Sequence, residues 1–130
     1  MSKHLDKIID FAQRLGLDIL HCDEAEELII VNNEDRGICS MVIDCEYPIL
    51  IMEQLIYRLK NESEQHYKRL LQMNRNLVHG AFVIDDEGKN VIFRDTLQLE
   101  NLDFNEFEGT VNALGLGLAE YSRELLSLNR

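Results

Sequence analysis

Apolar residues recur in this chain with two rhythms, one of three and four residues and one of two, and the switches between them lay out its elements. From Ser2 to Leu15 the helical rhythm holds, with Leu5, Ile8, Ile9, Ala12 and Leu15 on one face and Gly16 placed to close the helix in the left-handed conformation. Ile19 to Asp23 reads as a short extended link into the acidic cluster Asp23, Glu24, Glu26 and Glu27. Leu28-Ile29-Ile30-Val31 predicts a strand, ended by a turn over Asn32-Asn33-Glu34-Asp35-Arg36-Gly37. Between Ile38 and Glu46 the period is two, with Cys39, Met41, Ile43 and Cys45 on one face and Ser40, Asp44 and Glu46 on the other. Pro48 interrupts, and Ile49 to Tyr57 resumes as a third strand. Ile49-Leu50-Ile51-Met52 is apolar on both faces, which predicts a helix over one side and a partner on the other; a helix over Ile51 to Leu59 is the rival assignment.

Asn61 and Glu64 have capping-box spacing, and Tyr67, Leu70, Leu71, Asn74, Leu77 and Val78 continue as a helical stripe whose one polar member is Asn74. Two apolar runs then flank Asp85-Asp86-Glu87-Gly88, the signature of a β-hairpin, and its second strand carries Val91, Phe93, Leu97 and Leu99 on a face broken by Asp95. The last helix is doubly signed: Asp103 and Glu106 form a capping box, and Leu102 with Phe107 forms a hydrophobic staple. Phe104, Phe107, Val111, Leu114, Leu118, Tyr121 and Leu125 make its seam, beside a strip of small residues at Gly109, Ala113 and Gly117. Glycine within a helix costs about 1 kcal/mol relative to alanine, so the strip implies close approach of another backbone, from the sheet or from a second subunit.

The predicted order is α-β-β-β-α-β-β-α, an α+β fold in one domain spanning residues 1–130, with helices packed on an antiparallel sheet. No repeat, linker or low-complexity tract divides it. A net charge of -11 repels phosphate backbones and anionic membrane surfaces, which sets nucleic acid and membrane aside as partners and makes a basic peptide or protein surface a more natural one. The N-terminus lacks the pattern of a secretory signal, no apolar run is long enough to span a bilayer, and Cys22, Cys39 and Cys45 lack framework spacing; together these predict a cytoplasmic chain with reduced thiols.

Candidate chemistry is sparse. The cysteines and His21 are the metal candidates, but Cys39 and Cys45 on one strand would stand roughly 20 Å apart, so small buried hydrophobes are the expected role of the cysteines. The Asp85–Gly88 acidic turn lacks the ligand spacing of a calcium loop. Gly80 and Gly88 form no phosphate loop, and nothing marks Cys22 with His66 or His79 as a nucleophile and base. Asn74 either fixes register between subunits or lies on an exposed helix edge.

Leu70-Leu71-Gln72-Met73-Asn74-Arg75-Asn76-Leu77-Val78-His79-Gly80-Ala81-Phe82-Val83-Ile84-Asp85, followed by Val91-Ile92-Phe93-Arg94-Asp95-Thr96-Leu97-Gln98-Leu99, resembles the core of the YbjN family, labelled bacterial sensory transduction regulators. Phe11 to Cys22, followed by an acidic patch, resembles the start of such proteins. That family is similar to the type III secretion chaperones of the Tir-chaperone kind. The resemblance implies a twisted antiparallel sheet, commonly a homodimer, without catalytic machinery, cofactor or metal, whose relatives hold extended effector segments in shallow apolar grooves. This chain carries no recognisable effector signature.

The expected function is therefore a non-enzymatic protein-binding module, chaperone-like or regulatory, that works as a homodimer. It would take an extended partner segment by strand addition or pocket filling at Ile49, Ile51 and Leu55, with Leu71, Asn74 and Leu77 as the dimer seam. A small sensory domain responding to a ligand, or to redox state through one of the three cysteines, is the alternative. No set of nucleophile, base and orienting group can be assembled for a hydrolase.

Overall fold

The computed structural model describes residues 3–130, so the Ser2 start expected for the first helix lies outside the described residues. The elements are α1 (Lys3–Arg14), β1 (Asp18–Asp23), β2 (Leu28–Asn33), a single 3-10 turn (Glu34–Arg36), β3 (Ile38–Glu46), β4 (Ile49–Arg58), α2 (Glu64–Asn74), β5 (Ala81–Ile84), β6 (Asn90–Gln98) and α3 (Phe104–Leu128). The strands form one antiparallel sheet in the order β1-β2-β3-β4-β6-β5. The fold is α+β, as the rhythms predicted, with one strand added: the Ile19–Asp23 link is the edge strand β1, paired along β2. Its register shifts between Ile19 and His21, so a bulge at Leu20 hides the period of two that would have marked it.

Ile29 and Val31 of β2, Met41, Ile43 and Cys45 of β3, Leu50 and Met52 of β4, and Val91 and Phe93 of β6 point to the same side of the sheet and are buried there. They form one core with Leu5, Ile8, Phe11 and Ala12 of α1 and with Phe107, Val111, Leu114, Tyr121 and Leu125 of α3. Phe11 joins the two helices, its ring centroid 5.7 Å from Phe104 and 5.6 Å from Phe107. Gly16, at φ 72°, turns the chain out of α1 as expected. The Asp103–Glu106 capping box is present in both directions, at 2.8 and 3.1 Å.

Several local expectations are corrected. Ile49–Arg58 is strand throughout, so the rival helix over Ile51 to Leu59 is excluded. Ser63, and not Asn61, caps α2, accepting from the His66 N–H. The buried stripe of α2 is His66, Leu70 and Met73, so its phase differs from the one predicted and Leu71 faces outward. In β3 an extra residue lies between Ile38 and Met41 relative to β2, with Ser40 at φ 49°; the bulge moves Cys39 off the buried face and leaves it exposed. Asp95 does lie on the helix-covered face, where it accepts from the buried Thr110 hydroxyl at 2.6 Å. The small residues of α3 are closed from within the chain: a Cβ on Gly115 would stand 2.8 Å from the Arg36 carbonyl oxygen, one on Gly117 3.0 Å from Leu77, and one on Gly109 3.1 Å from His79.

Where the ladder stops, carboxamides take over. Asn74, at the last position of α2, accepts from the Phe82 N–H at 2.7 Å and donates to the Phe82 carbonyl at 3.1 Å, so it occupies the outer edge of β5. Gln54 on β4 is buried and does the same for the start of β3, accepting from Cys39 N–H and donating to the Gly37 carbonyl. Asn129, just past α3, accepts from Lys60 and Asn61 N–H and donates to the Arg58 carbonyl, which ties the C-terminal end of the helix to the β4–α2 connection. His66 completes that corner. The Asn61 carbonyl can only accept, so His66 Nδ1 carries the proton and Nε2 accepts from the Tyr57 hydroxyl, both at 2.6 Å. Asn74→Ala is expected to lower the thermal midpoint by several degrees, because two backbone groups at a shielded edge lose partners worth about 1–3 kcal/mol. Circular dichroism melts check this, and an unchanged midpoint would mean that water replaces the amide without cost.

Candidate functional site

Both α1 and α3 lie on one side of the sheet, and the other side presents side chains in cross-strand rows. One row runs Leu28, Asp44, Ile51, Thr96; the next runs Ile30, Val42, Glu53, Arg94, Ala81; a third joins Leu55, Ile92 and Val83. Ile49 stands beside Glu46 at the end of β3. The predicted contact residues Ile49, Ile51 and Leu55 thus share this face along a single strand. Leu28, Ile30, Val42, Ile49, Ile51 and Ile92 are half-buried by one another, while Leu55 is 60% exposed. This clustered apolar face offers area and shape, with one charged pair, Arg94 on Glu53, inside it.

The two edges of the sheet do not favour strand addition. Asn74 already holds the outward N–H and carbonyl of Phe82 on β5, and the bulge at Leu20 interrupts the outer edge of β1. Of the residues predicted for the dimer seam, Leu71 is 72% exposed, Leu77 is half-buried against the core, and the Asn74 amide is committed to Phe82. Two further apolar side chains are exposed: Val78, at 80%, which the predicted stripe included but which lies beyond the end of α2, and Leu116, at 68%, which no rhythm singled out. Leu116 lies off the α3 seam, and that offset is the signal by which it could have been found. It separates two shallow grooves, one of about 680 Å³ lined by Arg36, Gly37, Gly115 and Leu118, and one of about 520 Å³ lined by Leu77, Val78, Ala113 and Gly117.

Among the described residues no three His, Cys, Asp or Glu side chains are grouped to hold a metal, and no helix is long and apolar enough to cross a membrane. The acidic hairpin turn is tied up internally, since Asp85 accepts from Lys89 N–H, Asn90 N–H and the Asn90 amide, and these bonds lower its pKa. Only Cys45 is a buried thiol; Cys22 and Cys39 are exposed, contrary to the role expected for all three. Burial, then Glu27, Asp44 and Glu46, push the Cys45 thiol up to about 12.

Asp44 is the anomaly of the open face. Its Oδ1 is sealed from solvent without a hydrogen-bond partner among the described residues, between Leu28 and Ile51 on the neighbouring strands. Desolvation first, then Glu46, Glu26 and Glu53, raise its pKa from 3.8 to about 6. A carboxyl whose pKa is raised on folding binds its proton more tightly in the native state, so the fold gains stability as pH falls through about 6 towards the unfolded value. Asp44→Asn should therefore melt higher than the parent chain near pH 7.5, and the gap should narrow as the pH falls below about 6 and close only below the unfolded value of 3.8. A gap independent of pH, measured in paired thermal melts, would show that the charge is not the cause.

The match of a family model, CesT_Tir_1, extends over residues 1–130. No curated protein sequence matches the chain significantly. Among solved structures, YbjN from E. coli is similar at a TM-score of 0.71, with 12% identity and 92% of each chain covered. A chain of the ExsC–ExsE complex is similar at 0.65, with 23% identity and coverage of 95% of this chain and 93% of that one. The Yersinia pestis type III secretion chaperone SycH, solved in complex with a stable fragment of YscM2, is similar at 0.57, with 13% identity and coverage of 97% and 99%. At these identities the structures show a shared fold, that of YbjN and the type III secretion chaperones, and the whole-length match of the family model adds the kinship: the chain belongs to the CesT_Tir_1 family.

Proposed function

We propose that residues 1–130 act as one non-enzymatic, chaperone-like protein-binding module of the cytoplasm, a homodimer that holds an extended segment of a partner on its open sheet face. The observation that carries this reading is the uncovered apolar surface of Ile49, Ile51 and Leu55 with Leu28, Ile30 and Ile92 around it. That chaperones of this fold have been solved with bound polypeptides supports it. Filling of the face by side chains is favoured over strand addition, because both sheet edges are obstructed.

The dimer seam is assigned to the outer surface of α2 and the adjoining part of α3. Leu71 and Leu116 supply exposed apolar contact, while Leu77 and Asn74 hold α2 in place from behind. Sedimentation at micromolar concentration is expected to give a dimer, weakened about a hundredfold by Leu71→Glu combined with Leu116→Glu and unaffected by Leu55→Glu. A parent chain that sediments as a monomer would end the dimer assignment.

The exposure of Cys22 and Cys39 favours a second reading, redox sensing through one of these thiols. Native labelling should modify these two and reach Cys45 only after denaturant is added. If neither exposed thiol reacts faster than an unfolded peptide's, redox sensing is excluded.

A further inference from the structure

Asp44 occupies the middle of the open face in a way that an apolar partner would leave unanswered. Its row is Leu28, Asp44, Ile51, Thr96, so a carboxyl stands between two aliphatic side chains and carries a sealed oxygen without a donor. Glu46 lies two residues along the same strand, and Glu26 and Glu53 are close enough to act on it electrostatically. The cation inside these rows, Arg94, is already paired with Glu53. Around Asp44 a second copy of these rows would therefore bring more carboxylates, with its Arg94 already paired, which argues against self-pairing here. On the reading that the sheet face is the docking surface, we infer that its occupant is a foreign polypeptide segment presenting a lysine or arginine to Asp44, flanked two residues away on each side by apolar side chains.

The register sets that spacing. Next to the Asp44 row along the strands lie Ile30 and Val42 on one side and Ile49 on the other, about 6–7 Å away, which is the distance between alternate side chains of an extended chain. The segment's apolar residues cover those positions, and its cation stands against the half-buried Asp44 carboxylate, beside Glu46. Covering the row excludes water, so the charge pair forms where the effective dielectric is lower than at an ordinary surface.

Three fluorescein-labelled peptides test this by anisotropy at about 0.15 M salt, where exposed charges more than about 8 Å apart are screened. One is a triple repeat of Val-Ser-Lys-Ser, and the others carry Gln or Glu in place of Lys. The Lys peptide is expected to bind about tenfold more tightly than the Gln peptide, with the Glu peptide weaker still. Asp44→Asn should remove the preference for Lys over Gln, whereas Glu120→Gln, on the exposed side of α3, should leave it intact. Equal binding of the Lys and Gln peptides, abolished in both by Leu55→Glu, would overturn the basic-partner inference and leave the docking face standing. Binding that survives Leu55→Glu, or no binding of any peptide, would overturn both.

Discussion

A sheet of six strands with one covered side has to satisfy every backbone polar group that its pairing leaves over, and in this molecule side-chain amides meet that requirement. Buried N–H and carbonyl groups are seldom left unpaired, because each costs about 1–3 kcal/mol. Gln54 serves the stretch where β3 departs from β4, Asn74 serves the outer edge of β5, and Asn129 serves the β4–α2 connection. An amide suits all three places because one side chain offers an acceptor and a donor with the spacing of a peptide group. The consequence is architectural. Asn74 fastens α2 beside β5, and Asn129 fastens the end of α3 to the loop that launches α2, so the second and third helices are held by hydrogen bonds as well as by packing.

Closing the sheet in this way concentrates the molecule's unspent interaction capacity on its surfaces. With α1 and α3 on one side and both edges obstructed, the aliphatic residues of the opposite side have no cover. The same economy explains α3. Its glycines let the 3-10 turn, Leu77 and His79 come close on successive faces, which leaves Leu116 standing between two shallow grooves. Neither surface gathers nucleophile, base and oxyanion donors, and the convergent polar group that does exist, Asp44 with its acidic neighbours, is electrostatically suited to meeting a cation.

Much of the fold was legible because the relevant forces act locally. The Asp103–Glu106 box, Gly16 after α1 and the hairpin around Gly88 are short-range hydrogen-bonding and dihedral requirements, written in neighbouring residues. The placement of Ile49, Ile51 and Leu55 on one face followed from the period of two in an unbroken strand. The misreadings came where one residue changed the phase. Bulges at Leu20 and at Cys39–Ser40 shifted which side chains point inward, and the true stripe of α2 is carried by His66, whose polarity disguised it until Tyr57 and Asn61 satisfied its ring.

From the chain alone came the fold class, the boundaries of most elements, the acidic charge and the lack of a recognisable catalytic set, since propensity, rhythm and composition need no knowledge of distant partners. The meeting of residues far apart along the chain belonged to the tertiary structure. It alone put Asn74 on Phe82, Gly115 against Arg36, and Asp44 between Leu28 and Ile51. The physical reason is that an amide, a glycine or a carboxyl acquires its role from the group opposite it, and that group is chosen by strand register and helix docking.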